Sequence, residues 1–236
     1  HILVGDPNSF PPPTQDFRFT IIFDLDETLV SADTTSNECT VILRPYVKEL
    51  LACLVANGCE VIIWSAGVDF YVEYCLQKLD PDCSKIVGAI CRHPSWFTSG
   101  PIFKHLKSVP HRPQEHLLLV ENNPVTAFQQ IERTLIVPSF YFYDPECKSD
   151  LVLLRLAEWL TKTIDSLPIK PIHSLVKKQT VVVLPNNCWT CNNLAGYSKH
   201  FSPYYCVECQ GRYLNPETCP YYFFSPISTR SVVSVK

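Results

Sequence analysis

The chain has 236 residues with 46% hydrophobic content and a formal net charge of −3. This length supports a sizeable core in one large domain, or in one medium domain with a small module. No apolar run approaches the roughly 20 residues that cross a bilayer, so no transmembrane segment is predicted, and no basic and apolar leader is seen at the start of the sequence.

The charge is distributed unevenly along the chain. Residues 169–236 contain seven basic and two acidic residues, whereas residues 1–168 contain 13 basic and 21 acidic residues. This asymmetry predicts two modules with different partners. Seven of the 12 cysteines are scattered through apolar patterns, which is typical of reduced buried thiols and predicts an intracellular, reducing compartment, with nucleus, cytoplasm and mitochondrial matrix left open.

The predicted elements follow a proline-rich arm over residues 1–17. Over residues 18–168, short apolar strands alternate with amphipathic helices. Strands are predicted in "FTIIFD", "EVIIWS", "EHLLLVE" and "TLIVPSFYF", and helices in "RPYVKELLACLVANG", "VDFYVEYCLQKLD" and "SDLVLLRLAEWLTKTI". Pro45 marks the expected first turn of the first helix, and Ser149 is the expected N-cap of the last. The alternation predicts an α/β domain whose parallel sheet is covered by helices on both faces.

Three of these strands end in polar side chains, namely Asp24, Ser65 and Glu121. In a parallel sheet these ends meet at one edge, where ligands bind. Asp26 follows Asp24 by two residues, so both carboxylates can point to the same side of extended backbone. One carboxylate can attack an electrophile while the other moves a proton, and paired acidic groups also suit Mg²⁺. The pattern therefore predicts phosphoryl transfer chemistry.

Five short motifs carry a family resemblance. The segment "DLDETL" resembles the first motif of the haloacid-dehalogenase superfamily, and within it the chain is similar to the small phosphatases that act on the RNA polymerase II carboxy-terminal domain. The segments "LRPYVKELL", "VIIWSAG", "LLLVENNP" and "VPSFYFYD" resemble that family's later motifs in the same order, and Arg92 and Lys104 have the family's separation in its third-motif region. The resemblance covers Arg18 to Leu167 and implies a Rossmann-like parallel sheet.

The resemblance implies a role for each site residue. Asp24 is the nucleophile and a Mg²⁺ ligand, and Asp26 is the acid and base whose main-chain carbonyl also binds Mg²⁺. Ser65 and Lys104 contact the phosphoryl group. The resemblance also implies that Asn122 is a third Mg²⁺ ligand and that Glu121 supports the metal ligands without binding the ion directly. Thr28 and Arg92 are the implied substrate-binding residues.

Two positions depart from the family pattern. Glu121 replaces the usual aspartate and adds a methylene, and Asn123 replaces the usual serine. A displacement near 1 Å can cost on the order of 100-fold in rate. Two functions stay open: a Mg²⁺-dependent phosphatase acting on a phosphoprotein, or a catalytically weak scaffold or assembly factor in a larger protein or ribonucleoprotein complex.

A separate module is predicted over residues 188–236, after a linker or extended strand over residues 169–187. Cys188 and Cys191 pair with Cys206 and Cys209 as two C-x2-C knuckles separated by 14 residues, a spacing typical of a structural Zn²⁺ site. Two disulfides or free thiols are the alternatives, with Cys219 and His200 as spare ligands. Aromatic and basic residues interleave in this module, which fits protein docking, RNA contact or structural capping.

Overall fold

The structure is a computed structural model that describes residues 1–33, 39–98, 102–123, 126, 130 and 133–166, with a short pair of segments at 204–205 and 223–224. The predicted linker and all four cysteines of the predicted zinc module lie outside the described residues. In the part of the chain that is described, no helix is long and apolar enough to cross a membrane.

A six-stranded sheet forms the centre of the domain. Its spatial order is β1-β6-β5-β2-β7-β8, and every neighbouring pair is parallel. A hairpin of β3 and β4 and a two-stranded pair of β9 and β10 are antiparallel. The strands are β1 Ile2–Val4, β2 Phe19–Phe23, β3 Val30–Asp33, β4 Thr40–Leu43, β5 Cys59–Trp64, β6 Gly88–Ile90, β7 Leu117–Glu121, β8 Thr134–Ile136, β9 Tyr204–Tyr205 and β10 Phe223–Phe224; the helices are α1 Val47–Ala56, α2 Asp69–Leu79 and α3 Val152–Ser166. The predicted parallel α/β fold is confirmed.

The apolar runs form strands because the sheet is covered on both faces. All residues of β2, β5 and β7 are buried, which explains their continuous rather than alternating apolar pattern. All three helices pack into the cluster on one face, which contains Ile21 of β2. The opposite cluster, which contains Ile22, is covered in the described residues by Phe10, Trp96 and Val109 and, from a 3-10 turn, by Leu106. The α-helices that the sequence predicts on both faces are thus found on one face of the described domain.

The N-terminal stretch is more than the proline-rich arm that its sequence predicts. Its strand β1 pairs with β6 at the edge of the sheet, and Phe10 is 1% exposed. Arg112 lies with its guanidinium 5.1 Å from the centre of the Phe10 ring and donates to the Pro11 carbonyl oxygen. The pairing of β1 with β6 and the burial of Phe10 thus pack residues 1–11 against the domain.

Two helix starts differ from their predicted positions. Helix α1 begins at Val47 rather than at Pro45, because Tyr46 adopts the left-handed region with φ of 64°. Helix α3 begins at Val152, whose backbone N–H donates to the Asp150 carboxylate at 2.9 Å. Ser149 instead ends a 3-10 turn, so its predicted role as N-cap is wrong.

Candidate active site

The carboxyl edge of the sheet gathers the polar strand ends that the sequence predicts. Strands β5, β2 and β7 are adjacent, and they place Ser65, Asp24 and Glu121 side by side. These side chains are 0%, 8% and 1% exposed, respectively. Burial of charged and polar groups is costly unless they are paired, so the contacts of each group matter.

A buried lysine joins two of these strand ends. Lys104 is 3% exposed, and its Nζ lies 2.5 Å from Asp24 Oδ1 and 2.8 Å from Glu121 Oε2. Burial alone would lower the pKa of Lys104, but the two carboxylates outweigh it and raise that pKa. Gln130 braces the loop by donating to the Lys104 carbonyl oxygen and accepting from the Leu106 N–H. The ammonium charge is therefore held against Asp24.

The longer side chain of Glu121 folds back onto its own loop. Its Oε1 accepts from the backbone N–H groups of Asn122 at 3.1 Å and Asn123 at 3.0 Å, while Oε2 accepts from Lys104. Burial and the nearby charge of Asp24 raise the pKa of Glu121 to about 7. Both Glu121 carboxylate oxygens thus accept hydrogen bonds from the protein itself. This agrees with the predicted role of Glu121 as a residue that supports the metal ligands.

Thr28 and Asn122 lie beside Asp24 on the other side. The Thr28 hydroxyl lies 3.0 Å from Asp24 Oδ2 and 3.2 Å from Asn122 Oδ1. Asn122 donates through Nδ2 to Ser139 at 2.9 Å and to Glu27 at 3.2 Å, so its Oδ1 is the atom on the side of the Thr28 hydroxyl, which also contacts Asp24. Thr28 is 0% exposed, so in this structure its hydroxyl serves Asp24 and Asn122, and its contact with substrate stays a prediction.

The convergence of these oxygens fits a Mg²⁺ ion. The Asp24 carboxylate and the Asn122 amide oxygen surround one hydroxyl, and hard cations prefer such oxygen ligands. Within the described residues no three His, Cys, Asp or Glu side chains are grouped to hold a metal. The Mg²⁺ ligands that the sequence predicts contain only one acidic side chain, that of Asp24. The other two ligands are the Asn122 amide oxygen and the Asp26 main-chain carbonyl.

The loop after β2 has a constrained backbone. Glu27 has φ of 62°, its N–H donates to the Val30 carbonyl at 2.7 Å, and its own carbonyl accepts from Phe140 N–H at 2.7 Å. The buried Arg44 guanidinium donates to the Thr28 and Pro138 carbonyl oxygens. These hydrogen bonds hold the loop that places the Asp24 and Asp26 carboxylates at the carboxyl edge of the sheet.

Asp26 is half-buried and is held by two hydroxyls. The Tyr71 hydroxyl donates to Asp26 Oδ1 at 2.5 Å, and the Ser65 hydroxyl lies 3.3 Å from Asp26 Oδ2. Burial raises the pKa of Asp26, and the charge of Asp24 adds to that effect. Sequence reasoning missed Tyr71, although its place in the first turn of the helix that follows Ser65 is a usable signal. It also missed Arg44 and Glu27 as parts of the site.

Arg92 lies at the mouth of the site. It lines an open pocket of about 310 Å³ together with Asp26, Gly67, Tyr71 and others. Its Nε donates to the Ala66 carbonyl at 2.6 Å, and its guanidinium lies 4.5 Å from the centre of the Phe97 ring. The exposed side chain therefore lines the same pocket as Asp26, where the sequence predicts substrate contact.

A parallel α/β sheet that carries paired carboxylates, a hydroxyl and a buried lysine at its carboxyl edge defines a haloacid-dehalogenase-like protein. The family description "NLI interacting factor-like phosphatase" matches residues 19–168, which is more than half of the chain. The chain belongs to this family, as its motifs predict. The family is named for phosphatases, which is the class of enzyme that the sequence predicts.

Two solved structures are also similar to the chain. One is described as Fcp1, an essential RNA polymerase II CTD phosphatase, with a TM-score of 0.45 and 16% identity over 72% of this chain and 54% of that one. The other is fission yeast RNA polymerase II CTD phosphatase Fcp1 bound to beryllium fluoride, with a TM-score of 0.44 and 14% identity over 85% and 60%. The chain thus spans little more than half of their length, and TM-scores this low carry no argument about substrate. A comparison with curated proteins finds no match.

Proposed function

We propose that this chain is a Mg²⁺-dependent phosphatase that uses Asp24 as its nucleophile and acts on a phosphoprotein. The observation that carries the proposal is the placement of Lys104 between Asp24 and Glu121, with Asp26 held separately by hydroxyls. A buried ammonium beside a carboxylate nucleophile offsets charge where an anionic substrate arrives. The phosphoprotein substrate is inferred from the family.

The reaction needs two steps on these residues. In the first, an Asp24 carboxylate oxygen attacks phosphorus, the ester bond breaks, and the leaving oxygen takes a proton from Asp26. In the second, Asp26 takes a proton from water, the water oxygen attacks phosphorus, and the acyl-phosphate bond breaks to regenerate Asp24 and release phosphate. Lys104 holds Asp24 in place, and the Ser65 hydroxyl can turn toward a phosphoryl oxygen.

The metal would be held by the Asp24 carboxylate, the Asn122 amide oxygen and the Asp26 main-chain carbonyl. When bound, Mg²⁺ would neutralise part of the phosphoryl charge. Glu121 and Thr28 would position these ligands: Glu121 through the Asn122 N–H and Lys104, and Thr28 through its hydroxyl. With the longer side chain of Glu121 in place, the Asn122 oxygen lies 3.2 Å from the Thr28 hydroxyl that also contacts Asp24.

The second candidate function is a scaffold with little activity. It is favoured by Glu121, because burial raises its pKa to about 7 and protonation there would weaken its ion pair with Lys104. An assembly role would then depend on the C-terminal module. The phosphatase function predicts turnover of a phosphate ester, whereas the scaffold function predicts little or none, so a rate measurement separates them.

The test is hydrolysis of p-nitrophenyl phosphate by the full chain with and without Mg²⁺. We expect Mg²⁺-dependent turnover in the wild type and none in Asp24→Asn, which nearly preserves shape but cannot form the acyl-phosphate. Asp69→Asn, which changes an exposed carboxylate on α2, is the control and should turn over at the wild-type rate. Equal background rates in wild type and Asp24→Asn, repeated with a phosphoserine peptide library, would refute the phosphatase and favour the scaffold.

The C-terminal cysteines carry a separate proposal. The C-x2-C pairs at Cys188 and Cys206 support a structural Zn²⁺ site, which would supply folding energy to a short module. Elemental analysis should give about one Zn²⁺ per chain, reduced in Cys188→Ser but not in the matched Cys39→Ser. Protein docking and RNA contact by this module are separated by titrating the full chain with RNA at low and high salt.

A further inference from the structure

Tyr71 is the least expected residue at the carboxyl edge. It lies in the first turn of α2, 45 residues from Asp26 in sequence, and its hydroxyl approaches Asp26 Oδ1 to 2.5 Å. The ring is half-buried and lines the same open pocket as Asp26 and Arg92. A group that touches the acid and base carboxylate from the pocket wall can control its orientation.

The backbone next to Ser65 is shaped to admit this ring. A Cβ added at Gly67 would lie 2.8 Å from Tyr71 Cδ1 and 3.0 Å from Ser65 Oγ. Real Cβ atoms essentially never approach this closely, so only glycine allows the ring and the serine to keep their present positions. The Gly67 N–H also donates to Ser65 Oγ at 2.9 Å. The loop therefore packs Tyr71 and Ser65 together against Asp26.

The two hydroxyls on Asp26 are not equivalent during the proposed reaction. A serine hydroxyl has one proton, so Ser65 cannot donate to a phosphoryl oxygen and to Asp26 Oδ2 at the same time. Arrival of the phosphoryl group therefore removes the contact at 3.3 Å and frees Oδ2. The contact of Tyr71 with Oδ1 is unaffected by this exchange.

We propose that Tyr71 is a positioning residue that holds Asp26 Oδ1, so that Oδ2 carries the proton delivered to the leaving oxygen. This inference rests on the proposed phosphatase function. A hydroxyl that donates to Oδ1 occupies that oxygen as an acceptor and directs the transferable proton to Oδ2. The carboxyl group then keeps one orientation while Ser65 turns to the substrate.

The test compares two leaving groups in Tyr71→Phe, which removes only the hydroxyl. Phenyl phosphate needs a proton on its leaving oxygen, whereas 2,4-dinitrophenyl phosphate leaves readily as an anion. We expect kcat/KM on phenyl phosphate to fall on the order of 10-fold or more, and kcat/KM on the dinitrophenyl ester to change by less than about 3-fold. The ratio kcat/KM is compared because it reports formation of the phosphoryl-enzyme and not its hydrolysis, in which Asp26 is the base for both esters. Asp26→Asn should show the same selectivity to a larger extent.

The control is Tyr74→Phe, which removes a hydroxyl one turn further along the same helix, where the tyrosine is 39% exposed. It should leave both rates unchanged. Equal losses on both esters in Tyr71→Phe, or no loss on either, would overturn the proposal. A crystal structure of Tyr71→Phe gives a readout that needs no turnover: we expect a rotated or divided Asp26 carboxylate, and an unmoved carboxylate overturns the inference. An inactive wild type would refute the phosphatase, while this structure would still decide the role of Tyr71.

Discussion

Replacement of Lys104 by methionine tests whether the active-site edge is held by a buried ion pair. The variant keeps the length of the side chain but removes the charge that contacts Asp24 at 2.5 Å and Glu121 at 2.8 Å. Breaking a buried pair from one side typically costs about 3–5 kcal/mol, because a charge is left uncompensated. Glu121, whose pKa is raised to about 7, can take up a proton and lose its charge, so we expect a loss of about 3 kcal/mol at pH 7.

The pH dependence of this loss has a definite sign. The carboxylates raise the pKa of Lys104 above 10.5, so its contribution is fully present below pH 10.5 and is lost as pH rises through the folded value. This dependence reflects the titration of Lys104 alone. Below neutral pH the difference between wild type and variant should shrink, because Glu121, whose pKa is raised to about 7, takes up a proton and no longer leaves an uncompensated charge.

The assay is urea denaturation at several pH values in the presence of EDTA. Lys107→Met is the matched control, because Lys107 is exposed three residues away and should change stability by less than about 0.5 kcal/mol. A loss below about 1 kcal/mol for Lys104→Met at pH 7 would refute the description of a desolvated pair.

Three further predictions concern single contacts. Gly67→Ala should lower kcat on the order of 10- to 100-fold, since the new Cβ would lie 2.8 Å from Tyr71 Cδ1; steady-state rates check this, and an unchanged rate contradicts it. Thr28→Val should weaken Mg²⁺ binding on the order of 10-fold by removing the hydroxyl between Asp24 and Asn122; calorimetric titration decides, with unchanged affinity as the contrary result. Asp80→Asn should cost about 1.5–3 kcal/mol at pH 7, because the buried carboxylate accepts three backbone N–H groups and the amide can accept on one oxygen only.

The Asp80 prediction also carries a pH window. Burial alone would raise the pKa of Asp80, but the backbone N–H groups outweigh it and lower that pKa. The stabilisation is therefore present above pH 3.8 and is lost as pH falls through the folded value. Unfolding curves of the wild type and Asp80→Asn should converge only in strong acid, and Asp82→Asn, which changes an exposed carboxylate, should follow the wild type throughout.

Most of the central sheet could be predicted because local sequence carries the necessary information. Five or six consecutive buried residues, as in β2 and β5, leave an apolar run that is visible without any tertiary contact. The edge strand β1 and its neighbour β6 have three residues each, too few to show a period. The hairpin of β3 and β4 follows directly after the first motif and was missed for the same lack of a distinct pattern.

The chemical groups of the site could be predicted for a similar reason. Parallel strands bring their carboxyl ends to one edge, so Asp24, Ser65 and Glu121 are assigned to that edge by strand direction alone. The motifs that resemble the family added Lys104 and Asn122. The sequence places Tyr71 in the helix that follows Ser65, but its contact with Asp26, 45 residues away, depends on how these elements pack, as do the contacts of Arg44 with Thr28 and Pro138.

The sequence by itself determined the parallel α/β core, the family and the kinds of side chain at the carboxyl edge, since these follow from apolar runs and short motifs. Only the tertiary structure decided how the groups meet: that Glu121 folds back onto its own loop, that the buried Thr28 hydroxyl lies between Asp24 and Asn122, and that Tyr71 donates to Asp26. The physical reason is that secondary structure depends on local burial, whereas side-chain contacts depend on how separate segments pack against one another.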